Sequence, residues 1–224
     1  ENANIAYKGV IKQNDLPTGC CNILVSADGE RTMATHIGIG SQLNSNELTE
    51  DKLQGIDHIY MESYLWDHEY TKQTLKKVGN IAKTKNIETS LSLSDPFCVD
   101  RHLDELKSFI EEYVDLVFCN FDEAKMFAQS ETMADVSAFF QSFGKKIAMT
   151  AGAEGAYFFQ GETIAHQSAQ KIDQVIDTTG AGDNFAAGFL DQYLSDKIIG
   201  EALAHGNARA GEVIQQLGPR IKRH

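Results

Sequence analysis

The sequence predicts an α/β fold in which a mostly parallel sheet is covered by helices on both faces. Three observations carry that reading. From residue 56 onward, short β-rich runs alternate with amphipathic helical stretches, the pattern of βαβ units. The last long stretch places Ile199, Leu203, Gly206, Ala210, Val213, Ile214 and Leu217 at a helical period of about 3.6 residues. The 224 residues are 42% hydrophobic and 23% charged, enough apolar material for a sizeable core and the balance of a soluble globular chain. Residues 1–224 read as one domain, with residues 18–38 contributing lid or edge strands.

Taken in order, Thr18–Ile37 reads as two strands around Ala27-Asp-Gly-Glu30, because Asp-Gly between β-rich runs is a hairpin signal. Ile56–Met61 reads as a strand and Tyr70–Lys85 as a helix with Tyr70, Thr74, Val78, Ile81 and Ala82 on one face. Thr89–Leu93 is a strand, and Leu103, Leu106 and Ile110 mark the buried stripe of the next helix. Leu116–Cys119 is a strand, Val136–Phe143 is helical, and Ile147–Thr150 and Ala156–Phe159 are strands, the latter paired with Thr163–His166. A β-type run at Gln174–Ile176 precedes two helices, around Asp183–Leu194 and Ile198–Leu217. Ligands of such sheets sit beyond the carboxyl ends of the strands, so polar residues just after strands are the candidates for chemistry.

Charge and composition narrow the function. The formal charge is −12, with 20 Lys+Arg against 32 Asp+Glu, so the basic footprint of a nucleic-acid binder is missing and an anionic substrate must be held by local donors. No run approaches the roughly 18 apolar residues of a membrane span. Cys20, Cys21, Cys98 and Cys119 form no C-x-x-C pair, which argues against a structural zinc site and suits reduced thiols in a cytoplasm. Cys20 and Cys21 occupy consecutive strand positions and point to opposite faces. The histidines show no metal-ligand spacing, so no transition-metal site is expected; His58, His102 and His205 read as satisfied or exposed polar residues. The chain begins at Glu1 without a signal-type apolar region and without Met, which implies a removed tag or a missing first portion.

The segment Asp177-Thr-Thr-Gly-Ala-Gly-Asp183 carries the chemistry. Gly180 and Gly182 let the backbone come close to a ligand, and the amides of Ala181, Gly182 and Asp183 would be helix-start donors at the positive end of a dipole. That is an anion site made without a basic side chain. A carboxylate beside it, Asp183, makes sense if it accepts a proton from a hydroxyl attacking phosphorus; the segment reads equally well as a glycine turn with a helix-start charge. A dinucleotide fingerprint does not fit, because no third glycine falls in place and no glycine cluster follows the first strand.

This segment resembles the D-T-x-G-A-G-D signature of the ribokinase-like (PfkB) carbohydrate and nucleoside kinases. Asn120-Phe-Asp-Glu123 resembles that family's N-x-x-E motif, and Thr150-Ala-Gly152-Ala-Glu-Gly155 its T-x-G-x-x-G nucleotide loop, in the family's order and each at a strand end. The stretches Gly19–Gly38, Gly55–Asp67 and Leu91–His102 are most similar to the bacterial adenosine-kinase-like branch. The resemblance implies a three-layer α/β/α ribokinase-like fold with a partial β lid. It also implies a member lacking the N-terminal Gly-Gly signature, first strand, early Asp and most of the lid, with Glu1–Gly9 as the tail of the helix that follows them.

By that resemblance, Asp183 is the base, and Gly180, Ala181 and Gly182 form the anion hole for the γ-phosphoryl group of ATP. Asn120, Glu123, Thr150, Gly152, Gly155 and Asn207 border the nucleotide, with Glu123 serving Mg²⁺ through water. On spacing alone Asn120 and Glu123 read instead as a helix capping box, Thr150–Gly155 as a β-turn, and Asn207 as solvent-facing. Asp177 and Thr179 resemble a monovalent-cation (K⁺) pair, although Asp177 also suits a turn cap. Arg31 on the lid hairpin is a candidate for the acceptor or a phosphate, and Asp95 for a phosphate-side or Mg²⁺-water contact. Tyr64, Leu65 and Trp66 read as packing residues near the lid and substrate cleft. The implied function is phosphorylation of a primary hydroxyl of a nucleoside such as adenosine. The alternatives are a sugar kinase of ribokinase, fructokinase or 2-keto-3-deoxygluconate kinase type, or a nucleotide-binding piece without catalysis. No nucleic acid or membrane partner is implied, whereas pairing of lid or edge strands in a homodimer is.

Overall fold

The computed structural model describes residues 16–26 and 31–221. The hairpin turn at 27–30 and the stretch Glu1–Gly9 lie outside them. β1 (Thr18–Val25) and β2 (Arg31–Gly38) pair antiparallel, with Cys21 opposite Thr35 and Ile23 opposite Met33. This two-stranded sheet stands apart from the main one and is exposed along most of its length.

The main sheet has six strands in chain order: β3 (His58–Glu62), β4 (Glu88–Ser92), β5 (Leu116–Asn120), β6 (Lys146–Thr150), β7 (Ala156–Gln160) and β8 (Thr163–Gln167). β3 to β6 are parallel, and β7 and β8 are antiparallel additions. Register aligns the strand ends, with Glu62 beside Ser92 and Asn120 beside Thr150. Four polar residues therefore stand in a row at the carboxyl edge.

The connections between the parallel strands carry α1 (Glu69–Lys85), α2 (Pro96–Tyr113), α3 (Phe121–Ala128) and α4 (Met133–Phe143). Strand periodicity sorts the core. Val117, Ile147, Met149 and Phe159 face Val78, Leu106, Ile110, Phe127 and Phe140 of these helices. Their neighbours Leu116, Phe118, Ala148 and Phe158 face Phe185, Phe189, Tyr193 and Leu203 on α5 (Ala181–Asp196) and α6 (Ile199–Val213). The result is the three-layer α/β/α arrangement, with two glycines drawing α5 and α6 together. A Cβ at Gly188 would lie 2.9 Å from His205 O, and one at Gly206 2.8 Å from the Phe185 ring.

Several sequence expectations are corrected. Tyr70 is 60% exposed, and Thr71 and Leu75 take its place on the buried face of α1. Gln174–Ile176 forms no strand; the amides of Ile176 and Asp177 donate to Ile214 O at 2.8 and 3.3 Å instead of to a sheet neighbour. α6 stops at Val213, and Leu217, 66% exposed, belongs to a segment that turns back toward the start of α5. His58 Nε2 pairs with Ser90 Oγ at 2.8 Å. Cys20 and Cys21 are exposed and Cys98 and Cys119 buried, all as free thiols.

Candidate active site

The site lies where the carboxyl edge of the parallel strands meets the start of α5. Gly180 caps α5 with φ +78°, and a Cβ there would fall 2.7 Å from Pro219 Cβ, so glycine is required on two counts. Among the described residues no side chain caps this helix. Asp177 shapes the approach: it is 2% exposed, its Oδ1 accepts from Thr179 N and its Oδ2 from Gly218 N, both at 2.8 Å. Asn184 Nδ2 donates to Gly180 O at 2.8 Å and Pro219 O at 3.1 Å, clamping the returning C-terminal segment onto the loop. The Ala181 amide closes a turn with Thr178 O at 3.2 Å. Among the described residues, the amides of Gly182 and Asp183 are thus the helix-start donors without a partner, and both residues are exposed.

Two clefts meet at this helix start. The first contains about 850 Å³ of open space and is bordered by Glu62, Ser92, Asn120, Glu123 and Asp183. The second is a largely apolar groove between Gly152–Gly155 and α6, bordered by Ile172, Val175, Asn207, Ala210 and Ile214. Thr150, Ala181 and Gly182 border both, whereas Asp183 borders only the first.

The first cleft is acidic. Glu62, Glu123 and Asp183 line it without a Lys or Arg among the described lining residues. Burial pushes the Glu62 carboxyl up, and the Asp183 charge adds to that. The Tyr64 hydroxyl is pushed up to about 12 by burial and then by the charges of Asp95, Glu123 and Glu62. Burial and the Glu123 charge also raise the Cys119 thiol well above its ordinary range, so this cysteine is no nucleophile. Glu123 is 5% exposed and fully engaged by Asn120: its Oε2 accepts from Asn120 N at 3.0 Å and its Oε1 from Asn120 Nδ2 at 2.7 Å, while Asn120 Oδ1 accepts from Glu123 N at 2.8 Å. The capping box read as an alternative is therefore present, and it holds the pair at the cleft wall.

A family model described as pfkB family carbohydrate kinase matches residues 1–223. The chain belongs to that family. It is 24% identical to an adenosine kinase of Dictyostelium discoideum over 92% of this chain and 64% of that protein. The structure of adenosine kinase from Sinorhizobium meliloti superposes with a TM-score of 0.88 at 36% identity, over 91% of this chain and 63% of the other. A probable sugar kinase from Rhizobium etli CFN 42 gives 0.89 at 35% identity, over 93% and 64%. The chain thus spans a little under two thirds of the length of these relatives.

Within this pfkB chain, the expected site residues fall into three groups. Asp183, Gly182, Asn120, Glu123, Thr150 and Thr179 come together around the first cleft, and Gly152, Gly155 and Asn207 around the groove. Gly155 is structural: at φ +101° a Cβ would lie 2.1 Å from Gln167 O. Asn207 is 9% exposed and does not face solvent; its Nδ2 donates to Gln167 O at 2.8 Å, and the residue lines the groove. Asp95 stands elsewhere. Its Oδ1 caps α2 by accepting from Phe97 N at 2.7 Å, and it borders a third cleft beneath the hairpin. Arg31 opens β2, and its side chain lies outside the described residues.

Sequence reasoning missed Glu62, Ser92 and Ser94. All three follow or end a strand, so the strand-end rule points to them once β3 and β4 are bounded at residues 62 and 92. Tyr64 and Met33 line both the first cleft and the one beneath the hairpin, so the two spaces adjoin at these side chains.

Proposed function

We propose that this chain carries the nucleotide-binding and catalytic part of an ATP-dependent kinase that phosphorylates a primary hydroxyl of an adenosine-like nucleoside. The observation that supports this most is the junction of two clefts at a helix start whose Gly182 and Asp183 amides are unpartnered. The purine lies in the apolar groove between Ile172, Val175 and Ile214, with Asn207 offering a carbonyl oxygen. The triphosphate runs past Thr150 and Gly152 to the start of α5, where amide donors and the helix dipole face the γ-phosphoryl group. The acceptor occupies the first cleft. Asp183 takes its hydroxyl proton as that oxygen bonds to phosphorus and the bond to the β–γ bridging oxygen breaks, releasing ADP. The Gly182 and Asp183 amides hold the charge on the transferring oxygens. Relative to the sequence expectation, Ala181 shapes the loop and does not donate.

The donor chemistry fits a hard cation: the cleft offers carboxylates and an amide oxygen, with no basic side chain among its described lining residues. Among the described residues no three His, Cys, Asp or Glu side chains form a metal-holding group, so Mg²⁺ would be held chiefly by phosphates, with Glu123 reached through water. When bound, Mg²⁺ neutralises phosphate charge that the carboxylates would otherwise repel. For K⁺, the Asp177 oxygens already accept backbone amides, whereas Thr179 Oγ1 is buried without a partner among the described residues.

A nucleoside suits this acceptor side better than a bare sugar. Tyr64 and Phe97, 45% and 73% exposed, border the space next to the first cleft and offer an aromatic surface for a base. An ADP-release assay across adenosine, other nucleosides, ribose, fructose and 2-keto-3-deoxygluconate tests the reading. Turnover is expected with a nucleoside. Preference for a sugar would favour the carbohydrate-kinase reading, and nucleotide binding without turnover on any acceptor the reading of a catalytically silent piece.

A further inference from the structure

The aromatic wall beside the acceptor cleft is carried by two separate segments. Tyr64 sits on a short 3-10 turn, Ser63–Asp67, and Phe97 on the first turn of α2. Hydrogen bonds staple these segments at both ends. Near the cleft, Ser63 N donates to Ser94 Oγ at 3.1 Å, Ser63 Oγ to Leu93 O at 2.6 Å, and Tyr64 Oη to Ser94 O at 3.0 Å. At the far end, Arg101 reaches Asp67 through Nε at 3.2 Å and Nη2 at 2.8 Å, and His102 Nε2 lies 2.8 Å from Asp67 Oδ1.

Two backbone departures coincide with these contacts. Ser94 adopts φ +65°, a left-handed conformation that a non-glycine residue keeps only when its surroundings enforce it. His102 leaves helical geometry inside α2, at φ −130° and ψ 19°. The departure falls at the residue that meets Asp67, and no proline is there to account for it. Burial opposes ionisation of Asp67, yet hydrogen bonds from His102 and Arg101 outweigh it and hold this carboxyl below its ordinary range.

We propose that Asp67 is a positioning residue that, through Arg101 and His102, fixes the spacing of Tyr64 and Phe97 and thereby sets the affinity for an aromatic acceptor. This rests on the reading that the acceptor is a nucleoside. Asp67 borders the same space as Tyr64 and Phe97 but lines neither the first cleft nor the nucleotide groove, and its proposed part is to hold the wall rather than to bind the acceptor.

Calorimetric titration of the full chain with adenosine, and separately with MgADP, tests the proposal. In Asp67→Asn the adenosine Kd should rise about five- to tenfold, the scale of one lost aromatic contact, while the MgADP Kd stays within about twofold. In a Phe97→Ala background the same substitution should add less than about twofold, because the wall it positions is gone. A general loss of packing would instead weaken both ligands and ignore the background. Should Asp67→Asn melt too early to titrate, Arg101→Gln, at the half-exposed end of the pair, carries the same expectation. Adenosine affinity equal to wild type in these variants overturns the positioning role and leaves the kinase reading intact. A wild-type chain that binds MgADP but no adenosine overturns the nucleoside reading itself.

Discussion

Asp183 and Gly180 carry different burdens although only two residues separate them. Asp183 is exposed at the cleft, and its proposed work is chemical. Gly180 is conformational: it holds φ +78° against Pro219, so that the next amides emerge at the helix start. Gly180→Ala is therefore expected to destabilise the fold by about 1–3 kcal/mol in urea unfolding, from left-handed strain plus the clash, and to weaken ATP binding with it. Unchanged stability together with unchanged ATP affinity would show that the loop tolerates another shape. That this segment is a glycine turn opening a helix was legible in sequence, because Gly180 suits a positive φ and Asp183 a first helical turn. That the Ala181 amide is spent on Thr178 was not legible, since it depends on how the turn closes. Nor was the clamp from Asn184 to Pro219, which joins residues 35 apart.

At the scale of elements, α5 carries the proposed anion site at one end and is anchored at the other. Lys197, at its C-cap, pairs with Glu88 at 2.7 Å, and Tyr193 Oη donates to Glu88 at 2.9 Å, as does Lys146 Nζ. Burial would raise the Glu88 carboxyl, but hydrogen bonds from Lys197, Lys146 and Tyr193 prevail and bring it from 4.5 down to about 2. A carboxyl depressed in the folded state stabilises fully above its unfolded value and loses that contribution as pH falls from 4.5 toward 2. The melting temperature of wild type should fall more steeply across that window than that of Glu88→Gln; equal slopes would mean that the cluster is screened. The crossing of α5 and α6 is set by Gly188 and Gly206, and Gly206→Ala, driven into Phe185, should cost about 1–3 kcal/mol in thermal or urea unfolding. A neutral outcome would mean the helices slide apart without loss. Alternation of strands and helices was legible from periodicity, with most strand bounds placed to within one residue. The run at Gln174–Ile176 looked like a strand because its residues suit one, yet its amides bond to the end of α6. The end of α6 was overread because Leu217 continues the apolar period after the backbone has turned.

For the molecule as a whole, an acidic chain is proposed to bind a polyanion, and the layered fold explains how. Parallel strands bring Glu62, Ser92, Asn120 and Thr150 to one edge, and α5 points its start at the same edge. On that proposal recognition rests on amides, a dipole and a cation shared with the phosphates, because the first cleft has no Lys or Arg among its described lining residues. The layers could be read from sequence because β-rich runs alternate with amphipathic helical stretches; which helices each strand face meets, Leu116 and Phe118 against Val117 and Cys119, came only with the structure. The brace between the Tyr64 turn and α2 could not, because Asp67, Arg101 and His102 meet only once the chain has crossed the sheet. The proposed division of labour between clefts has a consequence at this scale: Asp183 borders the first cleft and not the groove, so nucleotide binding and phosphoryl transfer should separate cleanly.

That separation is measured by comparing wild type with Asp183→Asn for ATP affinity and for the rate of phosphoryl transfer to the preferred acceptor. Loss of the base should slow transfer by about 10²–10⁴-fold while ATP binding stays within about twofold. Transfer at close to the wild-type rate in Asp183→Asn, with ATP bound normally, would contradict the assignment of Asp183 as the group that takes the acceptor's proton.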